Sequence, residues 1–481
     1  MSNLSDLLPA GAGGKQVSFV ASGAISNGVT VGLNSDGTVS AVASDANPEV
    51  VGAKTIFESG STYYTAIAYN SVSEKIVIAY RDTSNSNYGT AIVGTVSGTS
   101  ISFGTPVVFD TGNTQFISIT YAGSNNVVIS YMDGNNSSYG TSIVGTVSGT
   151  SISFGTSTVF GSHTSYYISS AFDSASSKVL VFYANQSSNY AATLKVGTVS
   201  GTSISFGSPL TVDSNGAWHN SCAYDATNQK IVCAYADTGS STAGKAFVAT
   251  ISGTSVSAGS IATFQANGVN HTSTAYDSFN EKIVIAYRLT VGYAVVATVS
   301  GTSISFGTPV SFDTNVGSLS CVFNSSAKKI TIFYEDVGTS RYGTYVVGIV
   351  SGTNISFTTK TVFNNDRADY IASVYDTTAE KIVVAFRDTN YPSAGAGYGR
   401  SFVFQNEASN FADFIGISDA AISNAASGSV TIKGGISTNV TGLTPNATYY
   451  VQSDGSLSTT ASDVLAGKAM SSTSINLDYT T

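Results

Sequence analysis

The residues of this 481-residue chain best suited to chemistry are its scarce ones: one tryptophan, three histidines and a few arginines set among tyrosines. Trp218, His163, His219, His271, Tyr166, Tyr167 and Tyr370 stand with Arg81, Arg288, Arg341, Arg367 and Arg387, and with acids at Asp82, Asp133, Asp336 and Asp388. Flat rings beside carboxylate, amide and guanidinium groups suit a carbohydrate, because rings cover the apolar faces of a sugar while polar groups pair with its hydroxyls. Rings in adjacent loops also pack on one another, and that structural reading stands beside the first. Glycoside hydrolysis needs two carboxylates flanking one bond, and Glu335, Asp336 and Asp388 are available for it, as are many other loop acids. The histidines show no His-x-His or His-x-x-x-His spacing for zinc, and Met132–Asn136 (MDGNN) lacks the later acidic ligands of a calcium loop. No phosphate-cradling loop or nucleophile elbow occurs. The expectation is a binding protein with no catalytic residue, metal or cofactor.

These residues are positioned by an internal repeat. The string SGTSISFG occurs at Ser97–Gly104, Ser148–Gly155, Ser200–Gly207 and Ser300–Gly307, with degenerate copies at Ser252–Gly259 and Ser351–Thr358. The interval is roughly fifty residues, the size of one four-stranded blade. Each repeat reads as an inner strand (Tyr64–Tyr69), a polar turn, and an apolar second strand (Ile76–Tyr80). A loop, a third strand (Thr90–Ser97) and an alternating fourth strand (Ser100–Phe109) follow. The second strand recurs seven times, ending in Ile382–Phe386, whereas the fourth recurs only six times after its own third strand. The lone outer-type strand Val50–Phe57 (VVGAKTIF) supplies the missing one, and closing a ring this way removes its exposed edges. The turns ending in Lys75, Lys230, Lys282, Lys329 and Lys381 are near-constant and read as a solvated rim. The loops after the second strands and before the inner strands differ, and strand alternation places both sets at one end of the ring. That end is the expected binding face, and it carries Trp218, His219, His163, Tyr166, Tyr167, His271, Arg81, Arg288, Arg341, Arg387 and Tyr370.

Composition agrees with many short strands and polar turns: 48 glycines, 42% hydrophobic residues and only 10% charged ones. A net charge of −9 argues against nucleic acid and anionic membranes as partners. No apolar run is long enough to span a membrane, and no secretory signal precedes the first strand. Cys222, Cys233 and Cys321 occupy positions where other repeats place small apolar residues, and read as buried small hydrophobes.

Outside the ring, Ser22–Ser40 and Ala421–Gly455 each carry an Asp-Gly hairpin turn, Asp36–Gly37 and Asp454–Gly455, after an alternating run. The fold expected is therefore all-β: a seven-bladed β-propeller over 50–410, closed by its N-terminal strand. It is inserted in a small β-sandwich-like domain formed by both termini, 1–49 and 411–481.

The leader MSNLSDLLPAGAGG with FVASGAISNG, and the tail FIGISDAAISNAASGSVTIKGG with TYYVQSDGSLSTTA, resemble virion surface proteins of tailed bacteriophages, of the capsid-decoration, head-fibre and tail-fibre kinds. The resemblance implies a non-enzymatic virion component made in the host cytoplasm. Its terminal β domain docks on other virion proteins, and the propeller is displayed for host attachment through surface glycans. It makes Leu4–Pro9 (LSDLLP) a docking arm, with a frayed terminus as the alternative. A homo-oligomer fits the resemblance, although no coiled-coil heptad specifies one. The Ser-x-Asp-x-Gly-x-Thr-Trp boxes of sialidase-like propellers are absent. A cellular carbohydrate-binding or glycan-cleaving propeller is the alternative reading.

Overall fold

The computed structural model describes residues 15–34, 36–42, 49–389, 397–406, 413–452, 454–460, 462 and 464–477. Leu4–Pro9 and the expected boundary at 410/411 lie outside the described residues. The chain is all-β: no α-helix occurs among the described residues, and short 3-10 turns stand at Gln186–Ser188, Thr238–Ser240 and Val337–Thr339. It divides into two compact units, Val50–Gln405 and a smaller one drawn from 1–49 and 406–481.

In the larger unit the second strands are Lys75–Asp82, Asn126–Asp133, Lys178–Asn185, Lys230–Asp237, Lys282–Arg288, Lys329–Asp336 and Lys381–Thr389. Each pairs antiparallel with an inner strand on one side and a third strand on the other. Their cores are almost wholly buried, as in Ile76–Tyr80, each residue 0% exposed, because Val, Ile, Ala and Tyr on both faces meet the repeats before and after. Thr158–Asp173, Leu210–Asp225 and Thr361–Asp376 are long enough to end one repeat and begin the next, so hydrogen-bonded ladders run on from repeat to repeat. None of these sheets closes on itself through its ladder.

The fourth strand departs from the sequence reading. Ser100–Phe103 and Val107–Asp110 are separate strands that pair with successive parts of the same third strand, Tyr88–Ser97. The break is at Gly104, where a Cβ would collide with the Thr150 carbonyl in the next copy of the Ser-Gly-Thr turn. Gly155, Gly207, Gly259 and Gly307 face the same threonine carbonyl of the following turn. The repeated octapeptide is thus self-complementary, its last glycine receiving the turn of the next copy. Only the sixth copy ends in a bulkier residue, Thr358, and the repeat after it has no such turn.

The last third strand, Gly397–Gln405, is completed from the N-terminal side of the unit: Val50–Val51 and Thr55–Glu58 pair with it. Gly52 then faces the Thr99 carbonyl of the first repeat, as the other octapeptide glycines face theirs. Side-chain bonds cross between repeats in the same cyclic sense. Tyr235 Oη donates to Asp213 at 2.8 Å, Tyr334 to Asp313 at 2.8 Å and Tyr287 to Gln265 at 3.3 Å; Tyr80 donates to Glu58 at 3.1 Å. At the other end of the inner strands Tyr276 meets Thr227 at 2.7 Å and Tyr375 meets Ser326 at 2.8 Å. Tyr69 of the first repeat meets Thr378 of the last at 2.7 Å.

Cys222 and Cys233 are register partners with Sγ atoms 3.3 Å apart. Cys233 and Cys321 are buried and Cys222 is half-buried; all three are free thiols. Burial pushes the Cys233 and Cys321 thiols up, as for cysteines serving as packing.

The smaller unit joins both ends of the chain. Gln16–Val20 pairs with Ser427–Ile432, and Thr30–Leu33 pairs with Phe414–Ser418 and with Val39–Ala41. A second five-stranded sheet holds Thr448–Val451, Leu457–Ser458, Leu465–Ser471, Ser474–Leu477 and Ile436–Ser437. Phe414 and Ile417 of the first sheet share one core cluster with Val451, Ile475 and Leu477 of the second. The two Asp-Gly turns are alike. Asn34 N bonds Thr38 O and Gln452 N bonds Ser456 O, both at 2.8 Å, with Gly37 and Gly455 at φ +83° and +79°. Between Phe414 and Gly435 there are two strands, Phe414–Ser418 and Ser427–Ile432, with an isolated bridge from Ile422 to Ile25.

Candidate functional site

The inner strands carry a bulge near their loop ends, where register shifts between Tyr63 and Ala66, Gln115 and Ser118, Tyr166 and Ser169, Trp218 and Ser221, and Asp369 and Ala372. At each bulge the chain takes a left-handed turn on a ring-bearing residue: Tyr64 (φ 52°), Phe116 (50°), Tyr167 (48°), His219 (53°) and Tyr370 (48°). His271, next to its own inner strand, has φ 115°. Bulky residues avoid this region, and a bulge is the device that re-aims a side chain. Here the bulges line up one set of rings. Tyr370, Tyr64, Phe116 and Tyr167 follow one another with centroids 5.5, 5.1 and 5.1 Å apart. Tyr167 lies 4.7 Å from His219, which stacks on His271 at 4.4 Å.

The sixth inner strand breaks the series. Its bulge lies between Val316 and Leu319, opposite Glu335, one position away from its place in the other strands. The bulge residues are Gly317 and Ser318, so no ring enters. A Cβ on Gly317 would strike the Glu335 carboxylate. The space holds a charged network instead. Glu335 Oε1 accepts from Arg341 Nη1 at 3.2 Å and pairs with Arg367 Nε at 3.1 Å. Arg367 Nη2 reaches Asp369 at 3.0 Å, and Arg387 grips the same carboxylate with two nitrogens, Nε at 2.6 Å. The Arg387 guanidinium also lies 4.0 Å from the Tyr63 ring centre and 5.1 Å from that of Tyr370.

Rings and charges enclose a cavity of about 700 Å³. Its lining includes seven of the eleven residues expected on the binding face, Tyr167, His219, His271, Arg288, Arg341, Arg387 and Tyr370, together with Arg367. The other four do not line it, and three of them pack on its rings. Trp218 is 37% exposed and lies 5.7 Å from Tyr167; Tyr166 packs on Phe116 at 5.2 Å. Arg81 lies over Tyr63 and Tyr64, at 4.7 and 5.0 Å. His163 stacks on Tyr183 at 5.6 Å, away from the cavity. Tyr64, Phe116 and Asp369 are lining residues that sequence reasoning missed as a site. Tyr64 was read as an inner-strand residue and Phe116 was not singled out, although each lies five positions before an aromatic residue, Tyr69 or Tyr121, as Tyr167 precedes Phe172 and Tyr370 precedes Tyr375.

Burial, then the nearby Arg288 charge, holds His219 down to about 4, and burial with its neighbours holds His271 well below its ordinary value. Both imidazoles are therefore neutral at neutral pH. Burial raises Glu335 despite Arg341 beside it. The suggested acid pair is not assembled. Glu335 lines the cavity, but Asp336 accepts from Gly338 N and Lys360, and Asp388 from Asn364 and Arg400. Asp82 and Asp133 likewise cap their own turns, accepting from the backbone of Ser84 and Asn135 at 2.9 and 3.0 Å. These acids serve the fold.

No family model matches the chain, and no curated protein matches it. Several solved structures are similar at low identity. The NanB sialidase from Streptococcus pneumoniae has 12% identity and a TM-score of 0.45, covering 77% of this chain and 71% of that one. The Aleuria aurantia lectin has 14% identity and a TM-score of 0.41, covering 63% and 98%. A protein of unknown function from Dyadobacter fermentans has 11% identity and a TM-score of 0.45, covering 75% and 98%.

Proposed function

We propose that the larger unit is a seven-bladed β-propeller closed by its N-terminal strand, and that it binds carbohydrate in the ring-lined cavity. Closure is supported by the contacts between the first and last repeats: Tyr69 with Thr378, Tyr80 with Glu58, and Gly52 against Thr99. These repeat, at the junction, the bonds found between internal repeats. The carbohydrate reading rests on one observation, the arc of rings from Tyr370 to His271 held in left-handed backbone around an open cavity. Strained backbone kept at five bulges is conformational energy spent on directing rings inward, and rings facing an open, partly polar cavity suit the apolar faces of sugars. Binding without cleavage is the favoured form, since Glu335 and Asp369 are both held by guanidinium groups. A glycan array tests the reading, followed by titration through the fluorescence of Trp218, beside Tyr167. Failure of every glycan to bind would sink it.

We further propose that the chain is displayed on a phage virion by its smaller unit. The flanking motifs favour this, and so does the pairing of Gln16–Val20 with Ser427–Ile432, which makes one module of the two ends. Mass spectrometry of purified virions decides the point: a virion proteome without the protein refutes it.

A further inference from the structure

The cavity carries more positive charge than its carboxylates balance. Arg288, Arg341, Arg367 and Arg387 line it against Glu335 and Asp369. Arg341, Arg367 and Arg387 share those two carboxylates. Among the described residues Arg288 pairs with no carboxylate; it donates to the carbonyls of Asn270 at 2.7 Å and Val316 at 3.0 Å. Four guanidinium groups against two carboxylates leave two positive charges, and the neutral histidines add none. Placing this charge in a half-closed, ring-walled space strengthens its attraction for an anion, because little water screens it.

Polar groups without partners lie in the same lining. Thr65 Oγ1, Ser318 Oγ and both side-chain polar atoms of Asn220 are shielded from solvent and make no hydrogen bond among the described residues. Shielded polar atoms left unpaired are costly, and a ligand rich in hydroxyls would pair them. Ser318 adjoins Gly317 at the bulge without a ring, so one unpaired group, the gap and the excess charge meet at one place, while Thr65 and Asn220 stand on other inner strands of the same lining.

We propose that the ligand of this cavity is an acidic saccharide. Its carboxylate or sulfate faces Arg288, Arg341 and Arg367 at the Gly317 gap, and its ring faces lie on Tyr64, Phe116 and Tyr167. The proposal rests on the carbohydrate reading and gives it a substrate class. Guanidinium forks match both oxyanions, so the two are separated by experiment.

The test is a glycan array bearing uronate-containing, sialylated and sulfated glycans, each beside its carboxyl-reduced or desulfated form, probed with the full chain at low salt and at about 1 M salt, where the Debye length is about 3 Å. The expected result is at least tenfold tighter binding of the acidic form of one pair, weakened by salt. Whether that pair differs by carboxylate or sulfate names the oxyanion. The variant Arg341→Gln, at a side chain 39% exposed that among the described residues pairs with Glu335 alone, should weaken the acidic form at least tenfold more than the neutral form and so remove most of the preference. Equal binding of acidic and neutral forms overturns the inference and leaves carbohydrate binding intact. Binding of no glycan overturns both.

Discussion

Replacing Phe57 by alanine tests whether the N-terminal strand closes the ring or merely leans on it. Phe57 is 5% exposed and sits in one core cluster with Ile76, Ile78 and Tyr80 of the first repeat and Val383, Ala385 and Val403 of the last. Its ring lies 5.2 Å from Tyr80 and 5.9 Å from Phe103, and Gly399 leaves the room it occupies. Phe160, at an internal junction, repeats the geometry: 1% exposed, 5.1 Å from Tyr183 and 5.8 Å from Phe206, over Gly140. Truncating a buried phenylalanine to alanine costs about 3–5 kcal/mol, the sum of lost transfer energy and an unfilled cavity. If the strand is an integral part of the last sheet, Phe57→Ala and Phe160→Ala should lower the urea unfolding midpoint by similar amounts at unchanged slope. A Phe57→Ala loss below about 1 kcal/mol, beside a loss of several for Phe160→Ala, would refute the closure argument.

Further outcomes follow from the same contacts. Tyr69→Phe removes the bond to Thr378 and should cost about 1 kcal/mol, matching Tyr375→Phe at an internal junction; thermal unfolding of both variants checks the equality. Gly104→Ala should destabilise by about 1–3 kcal/mol through its collision with the Thr150 carbonyl. Thr358→Gly, at the copy with no Ser-Gly-Thr in the repeat that follows it, should not gain a comparable amount, as denaturant midpoints will show. His219 is held to about 4 when folded, below its ordinary 6.5, so the unfolded chain binds more protons between those values. Stability is therefore complete above pH 6.5 and falls as pH drops toward 4, by up to about 1.4 kcal/mol per pH unit for each such histidine. The slope of stability against pH should flatten in His219→Gln; an unchanged slope removes His219 from the explanation.

The repeat and the N-terminal strand were legible because packing between identical neighbours imposes the same residues at each junction. The apolar second strands, Ile76–Tyr80 and its equivalents, lie inside the observed strands, which extend one to three residues further at each end. The broken fourth strand was not legible. Alternation continues across Gly104, and only the arrival of Thr150 from the next repeat shows why a glycine and an interruption belong there. The site was half legible: scarce residue types pointed to Tyr167, His219, His271, Tyr370 and four arginines. The bulges that turn Tyr64 and Phe116 inward leave no mark on period-two patterning, so those rings read as ordinary strand residues. Asp82, Asp133, Asp336 and Asp388 misled for the opposite reason, since an acid that caps a turn, or in the case of Asp388 pairs with Asn364 and Arg400, looks the same in sequence as one that meets a ligand.

The most direct test of the central claim is the affinity of the best array glycan for the wild-type chain and for Tyr167→Ala, measured by calorimetry. Tyr167 stands mid-arc, touching Phe116, Trp218 and His219. Loss of its stacking face predicts at least a tenfold weaker dissociation constant, about 1.4 kcal/mol, with the fold retained. Undiminished affinity in Tyr167→Ala would contradict the account, because the ring-lined cavity would then not be where the sugar binds.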